Sequence, residues 1–143
     1  MKIVICGSVN FAQEMRRLKG QLVEMGHEVV LPYSLEKHNL NSYDDAQRMK
    51  ESDGYVVNEK PDMTRRHMDE IKNSDAVLIV NMEKRGIPDY IGGATLAEIM
   101  FAFYLNKKIF LLNPIPTDER ILFYEEIAAV KPIVLNGNLG LVK

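Results

Sequence analysis

Short apolar runs alternate along this chain with longer stretches in which apolar positions recur every three or four residues. The first run, Ile3-Val4-Ile5-Cys6, is closed by Gly7-Ser8 and reads as a strand buried on both faces. From Phe11 to Met25, the positions Met15, Leu18, Leu22 and Met25 form one stripe of an amphipathic helix. Gly26 follows and supplies the left-handed residue that ends helices. Residues 28–31 predict a second strand, stopped by Pro32. A strand–helix–strand crossover of this kind is right-handed, so the two strands are expected to run parallel.

Beyond Pro32 the pattern weakens. Tyr33 to Lys60 is polar and punctuated by Asn39, Asn41, Ser42 and Gly54, with a short helix expected over Asp44 to Glu51. Met63 to Asn73 reads as a helix, with Thr64, Met68 and Ile71 on one face. It leads through Ser74-Asp75, where Asp75 is expected to tie down the turn, into the strand Ala76 to Val80. A turn-rich stretch covers Lys84 to Gly93. The rest predicts a helix over Thr95 to Leu105, a strand over Ile109 to Leu112, a helix over Glu119 to Val130 and a strand over Ile133 to Leu135.

This alternation predicts one α/β domain over residues 1–143, a doubly wound, mostly parallel five-stranded sheet with helices on both faces. The expected strand order is the flavodoxin-like 2-1-3-4-5. The chain then reverses direction between strands one and three, and ligands of such sheets bind in the crevice at that reversal. Two loops are therefore favoured, Gly7 to Phe11 and Asn81 to Thr95. They bring Gly7, Ser8, Asn10, Asn81, Gly92, Gly93 and Thr95 forward as candidate ligand-binding residues.

Charge and composition narrow the partners. A formal net charge of -2, with both signs dispersed, argues against binding to a nucleic acid polymer. No apolar run is long enough to cross a bilayer, so no membrane partner is expected. The single cysteine, Cys6, permits no internal disulfide and fits a reducing cytoplasm. Cys6 itself reads as a small buried hydrophobe. His27, His38 and His67 lack metal-ligand spacing, and neither a metal nor a cofactor is expected. His27 and His38 read as surface residues, while His67 lies where its side chain can approach the crevice. Arg65 and Arg66 read as a solvated helix face. The loop Gly7-Ser8-Val9-Asn10-Phe11 is neither a Walker loop nor a GxGxxG fingerprint. It also lacks the run of hydroxyl residues that would hold a flavin phosphate.

Glu98 is the one charged residue between Ala94 and Leu105. A carboxylate in so apolar a helix must be paired, hydrogen-bonded or functional. Placed near a helix start at the carboxyl edge of a sheet, it is a plausible nucleophile. Thr95-Leu96-Ala97-Glu98 also has the pattern of a capping box, in which Glu98 only stabilises its helix. The residues alone leave both readings open. Gly92-Gly93 before the helix, and Gly7-Ser8 after the first strand, let backbone amides approach a phosphate or sugar.

A first strand ending in Cys6-Gly7-Ser8, then Ser74-Asp75 before an apolar strand, then a Gly-rich loop and a helix carrying Ala97-Glu98, resembles the nucleoside 2-deoxyribosyltransferase superfamily. That superfamily includes the deoxynucleoside 5′-monophosphate N-glycosidases. Phe101 to Ile109 looks like the family's helix-to-strand passage, and the resemblance runs from Lys2 to about Asn113. It implies an enzyme that cleaves or transfers the N-glycosidic bond of nucleosides or their 5′-monophosphates. Glu98 would attack C1′ and form a covalent sugar ester, by the logic of a retaining glycosidase. Ser8, Gly92 and Thr95 would surround the sugar or its 5′ group. The resemblance further implies a homodimer or higher homo-oligomer, with Asn136 and Asn138 as residues a neighbouring subunit could contribute. The sequence departs from the family at His67, eight positions before Asp75, where an aspartate usually handles the proton on the leaving base. Histidine can take that role near neutral pH, so His67 is the second candidate catalytic residue. Lys84 to Tyr90 reads as extra loop residues. The departures also leave a second expectation, a catalytically silent nucleotide-binding or sensing module on the same fold.

Overall fold

The computed structural model describes residues Met1–Lys143. Five strands form one parallel sheet in the order β2-β1-β3-β4-β5. They are β1 (Lys2–Cys6), β2 (Glu28–Val30), β3 (Ala76–Ile79), β4 (Lys108–Leu111) and β5 (Ile133–Val134). The predicted doubly wound order is the observed one.

The alternation of side chains along each strand builds two cores. Ile3, Ile5, Ala76, Leu78 and Phe110 face one side and pack with α1 (Ala12–Glu24) and α3 (Tyr43–Glu51). Val4, Cys6, Val77, Ile79, Ile109 and Leu111 face the other, with residues of α4 (Lys60–Lys72), α5 (Gly93–Tyr104) and α6 (Tyr124–Ala129). The same alternation turns Cys6 toward the second layer, and this decides what it touches. Asp75 accepts a hydrogen bond from the Lys2 amide at 2.7 Å, which ties the start of β3 to β1. No helix is long and apolar enough to cross a membrane.

Several boundaries differ from expectation. A short helix, α2 (Tyr33–Lys37), follows Pro32 in what reads as polar loop. A π-helical turn, Tyr55–Glu59, runs directly into α4, which starts at Lys60 and not at Met63. Pro61 sits in the first turn of α4, where its missing N–H costs nothing. The last helix is confined to Tyr124–Ala129, because Asp118 folds residues 118–121 into a turn by accepting from the Arg120 amide at 2.9 Å. His38 is not a free surface residue, since its Nε2 lies 2.7 Å from Glu59 Oε2.

Gly7 sets the width of the crevice floor. Its φ is 143°, and a Cβ there would lie 2.7 Å from the Val80 carbonyl oxygen. Gly7→Ala is therefore expected to destabilise the protein by roughly 2–3 kcal/mol. Urea unfolding measures it, and an unchanged midpoint would show that β1 and β3 can part freely.

Candidate active site

The crevice opens at the carboxyl ends of β1 and β3, where the chain reverses, and encloses about 290 Å³. Gly7, Ser8, His67, Gly92, Gly93, Thr95 and Glu98 all line it. Three elements meet on its floor. Cys6 ends β1, His67 comes from the middle of α4, and Glu98 comes from α5.

Glu98 does not cap its helix. The helix begins at Gly93 with Gly92 as its N-cap, and no side chain caps it. Thr95 is already inside the first turn, and Glu98 lies one turn deeper, out of reach of a capping box. Gly92 thus takes the N-cap position that the capping-box pattern assigns to Thr95. A Cβ on Gly92 would approach the Tyr90 hydroxyl to 3.0 Å. Glu98 instead points into the crevice, its Oε1 3.7 Å from His67 Nε2 and its Oε2 buried without a partner. Burial raises its carboxyl from the ordinary 4.5 to about 7, against a hydrogen bond with Cys6 that lowers it.

Burial acts on His67 in the opposite direction. It lowers the imidazole to about 4, against the raising influence of Glu70. Its Nε2 lies 3.4 Å from Cys6 Sγ, while its Nδ1 is buried and unpartnered. Cys6 is thus part of the site and not only a buried hydrophobe. Burial, and next the neighbouring Glu98, push its thiol well above the ordinary range. Near pH 7 the floor therefore holds a neutral imidazole, a neutral thiol and a carboxyl poised between its two forms.

The opposite wall carries two lysines that sequence reasoning passed over. Lys84 Nζ donates to Ser8 Oγ at 2.9 Å, and Lys50 Nζ reaches the same oxygen at 3.5 Å. Lys50 comes from α3 and also donates to Asn10 Oδ1. Lys84 opens a tight hairpin, bridged to Ile87 across Arg85 and Gly86, whose φ values are 52° and 73°. Two positive φ angles in a two-residue loop make a type I′ turn, and the turn folds Lys84 back over Ser8. The Tyr90 ring lies 5.0 Å from Lys84 Nζ. Burial, then the nearby Lys84, lower Lys50 to about 7, and burial lowers Lys84 as well. Two ammonium groups on one hydroxyl, with only neutral partners, form a concentrated positive spot.

Other candidates take supporting places. Asn10 is buried and orients Ser8 and Lys50 while donating to the Tyr43 carbonyl at 3.1 Å. Asn81 does not line the crevice. Its amide spans to the end of β4, donating to the Asn113 and Pro114 carbonyls at 3.1 and 2.8 Å and accepting from the Asn113 amide at 2.9 Å. It clamps the two strand ends. Asn138 accepts from the Gly140 amide at 3.0 Å, and Asn136, with φ 48°, shapes the turn after β5. Arg66 stacks its guanidinium 3.9 Å over the Tyr33 ring beside the crevice.

No protein-family model matches the chain, and no curated protein matches it either. A solved structure does. The 2-deoxyribosyltransferase of the psychrotolerant bacterium Bacillus psychrosaccharolyticus superposes with a TM-score of 0.57, over 94% of this chain and 98% of that one, at 14% identity. The fold is that of a 2-deoxyribosyltransferase. That enzyme is described as a biocatalyst for the synthesis of antiviral and antitumoral nucleosides. The likeness is one of chain path over nearly the whole molecule, and the chemistry rests on the crevice.

Proposed function

We propose that this chain cleaves or transfers the N-glycosidic bond of nucleosides bearing a 5′-phosphate, with Glu98 as the nucleophile. The observation that carries this reading is the Glu98 carboxyl, turned away from its helix end into a crevice shared with Ser8 and His67. A buried carboxyl poised near neutrality is suited to attack when positive charge develops on the sugar. The fold shared with a 2-deoxyribosyltransferase supports the same chemistry.

The protons balance through the Glu98–His67 pair. Transfer of the Glu98 proton to His67 Nε2 yields a carboxylate and an imidazolium together. The carboxylate attacks C1′, the bond from C1′ to the base nitrogen breaks, and the imidazolium proton goes to the leaving base. Water or a second base then attacks C1′ of the ester, and neutral His67 takes its proton. The lysine pair with Ser8 holds the 5′-phosphate, and Tyr33, Tyr55 and Tyr90 supply aromatic surface along the crevice. We further read the active unit as a homo-oligomer, with Asn136 and Asn138 offered to a neighbouring site. Phe103 and Tyr104, 50% and 80% exposed on α5, offer an apolar contact face. Light scattering on the purified chain tests this, and a monomer at working concentration rejects it.

The direct test is base release. The protein is incubated with deoxynucleosides, ribonucleosides and their 5′-monophosphates, with and without an acceptor base, and products are separated by chromatography. Release from monophosphates above all other substrates is expected. No release, with a nucleotide still raising the melting temperature, would establish a binding module instead.

The pH profile is a sharper signature. The Glu98–His67 pair must keep one proton for the leaving base, so kcat/KM falls as Glu98 loses that proton through about pH 7. Phosphate binding requires protonated Lys50, so for monophosphates a second loss through about pH 7 steepens the fall. Monophosphates should lose kcat/KM more steeply with rising pH than unphosphorylated nucleosides, which depend on the Glu98–His67 proton alone. Identical profiles would separate Lys50 from the phosphate.

A further inference from the structure

The geometry points to a second capacity of the crevice floor: Cys6, His67 and Glu98 form a three-ligand site for a zinc-like divalent transition metal. Cys6 Sγ lies 3.4 Å from His67 Nε2, and His67 Nε2 lies 3.7 Å from Glu98 Oε1. All three ligand atoms lie within 4.8 Å of one another. A tetrahedral zinc, with bonds of about 2.3 Å to sulfur and about 2.0–2.2 Å to nitrogen and oxygen, sets its ligand atoms roughly 3.4–3.6 Å apart. Two edges of that tetrahedron are already near their final length.

Protonation and charge favour the same conclusion. When the thiol donates to Nε2, the ring proton sits on Nδ1, and Nε2 has the lone pair a metal needs. The unpartnered, buried Glu98 Oε2 shows that the protein alone leaves this carboxyl unsatisfied. Binding releases the thiol proton, and any proton on Glu98, to solvent. A thiolate, a carboxylate and a neutral imidazole then carry two negative charges, which cancel those of the cation. A neutral centre has the least desolvation to overcome in a buried place. The fourth position faces the crevice and is open to water or ligand. Thiolate and imidazole select zinc, cobalt or copper over magnesium and calcium. The ligands come from β1, α4 and α5, so no sequence spacing could reveal them.

Binding stands on this geometry alone, whereas its consequence rests on the reading of Glu98 as nucleophile. A metal on Glu98 occupies the electron pair that would attack C1′, so zinc should stop base release and a chelator should restore it.

The test is a cobalt(II) titration of the full chain, freed of any affinity tag and of metal. One ion per chain should bind, with a near-ultraviolet thiolate-to-cobalt band and the strong visible bands of tetrahedral cobalt, and zinc should displace it. Cys6 is the only cysteine, so a thiolate band assigns it without ambiguity. Cys6→Ser should lose that band. His67→Gln and Glu98→Gln should weaken binding by more than the roughly 10–100-fold typical of losing an outer partner. A wild-type protein with no thiolate band, or an unchanged band in Cys6→Ser, overturns the site. Wild-type protein needs no substitution to fold, so its titration decides the matter even where a variant misfolds. Failure of base release in metal-free protein would instead count against the nucleophile and leave the cobalt result standing.

Discussion

Glu98→Gln is expected to abolish base release and at the same time make the protein more stable above pH 7. The first effect follows from chemistry, since an amide cannot form the sugar ester. Loss of a nucleophile should lower kcat by at least about 10³-fold. The second follows from the raised carboxyl. A group whose folded pKa lies above its ordinary value favours folding only while protonated. That stability is fully present below pH 4.5 and is lost as pH rises toward about 7. At pH 8 the ionised Glu98 therefore costs the fold on the order of 3 kcal/mol relative to a neutral group. Glutamine removes that cost, and the melting temperature at pH 8 should rise by roughly 5–10 °C. At pH 4 the gain should vanish, because the native carboxyl is itself protonated. His67 titrates in the opposite sense over much of this range, but it is common to both proteins. Scanning calorimetry at the two pH values, beside the base-release assay, reads both effects. A variant that loses activity and stability together at pH 8 would mean that Glu98 holds the structure and performs no chemistry.

The strands were legible because parallel strands buried on both faces carry no polar positions to interrupt them. Ala76 to Ile79 and Ile109 to Leu111 are unbroken apolar runs, and both are strands in the structure. The order of strands and helices then placed the crevice. Helix limits were less legible. The Thr95-Leu96-Ala97-Glu98 pattern obeys the capping rule, but Gly92 and Gly93 extend the helix past it, and local sequence does not register that. The lysine pair was hidden for another reason. Lys50 and Lys84 lie far apart in the chain and meet only through Ser8, so no basic cluster marks them. One signal was available. Arg85-Gly86 between Lys84 and Ile87 is compatible with a two-residue hairpin, which would fold Lys84 back toward the sheet. Cys6 was legible in part, since it shares the strand face of Val4 and so must meet the layer that holds α4 and α5. Nothing local said that α4 would present a histidine there.

Substitution of the lysine pair should change which substrates the crevice accepts without removing the proposed chemistry. Each ammonium is partly buried, and each loses hydration without gaining a counter-charge in the free protein. A phosphate dianion bridging them would replace that lost hydration and return Lys50 to its protonated form. A charge-assisted hydrogen bond in such a place contributes about 1.5–3 kcal/mol. Lys84→Met or Lys50→Met should therefore lower kcat/KM for a 5′-monophosphate by roughly 10–100-fold, at about 1.4 kcal/mol per factor of ten. The double variant should lose on the order of 10³-fold, with some non-additivity because both lysines share Ser8. Activity on the unphosphorylated nucleoside should change little, since Glu98 and His67 are untouched. Removing one of two like charges should also stabilise the free protein slightly, against any loss of the Ser8 contact. The decisive quantity is the ratio of kcat/KM for monophosphate to that for nucleoside. A ratio that collapses toward one assigns the lysines to the 5′-phosphate. Equal losses on both substrates would assign them to shaping the loop after β1, and the phosphate would then have to be held elsewhere.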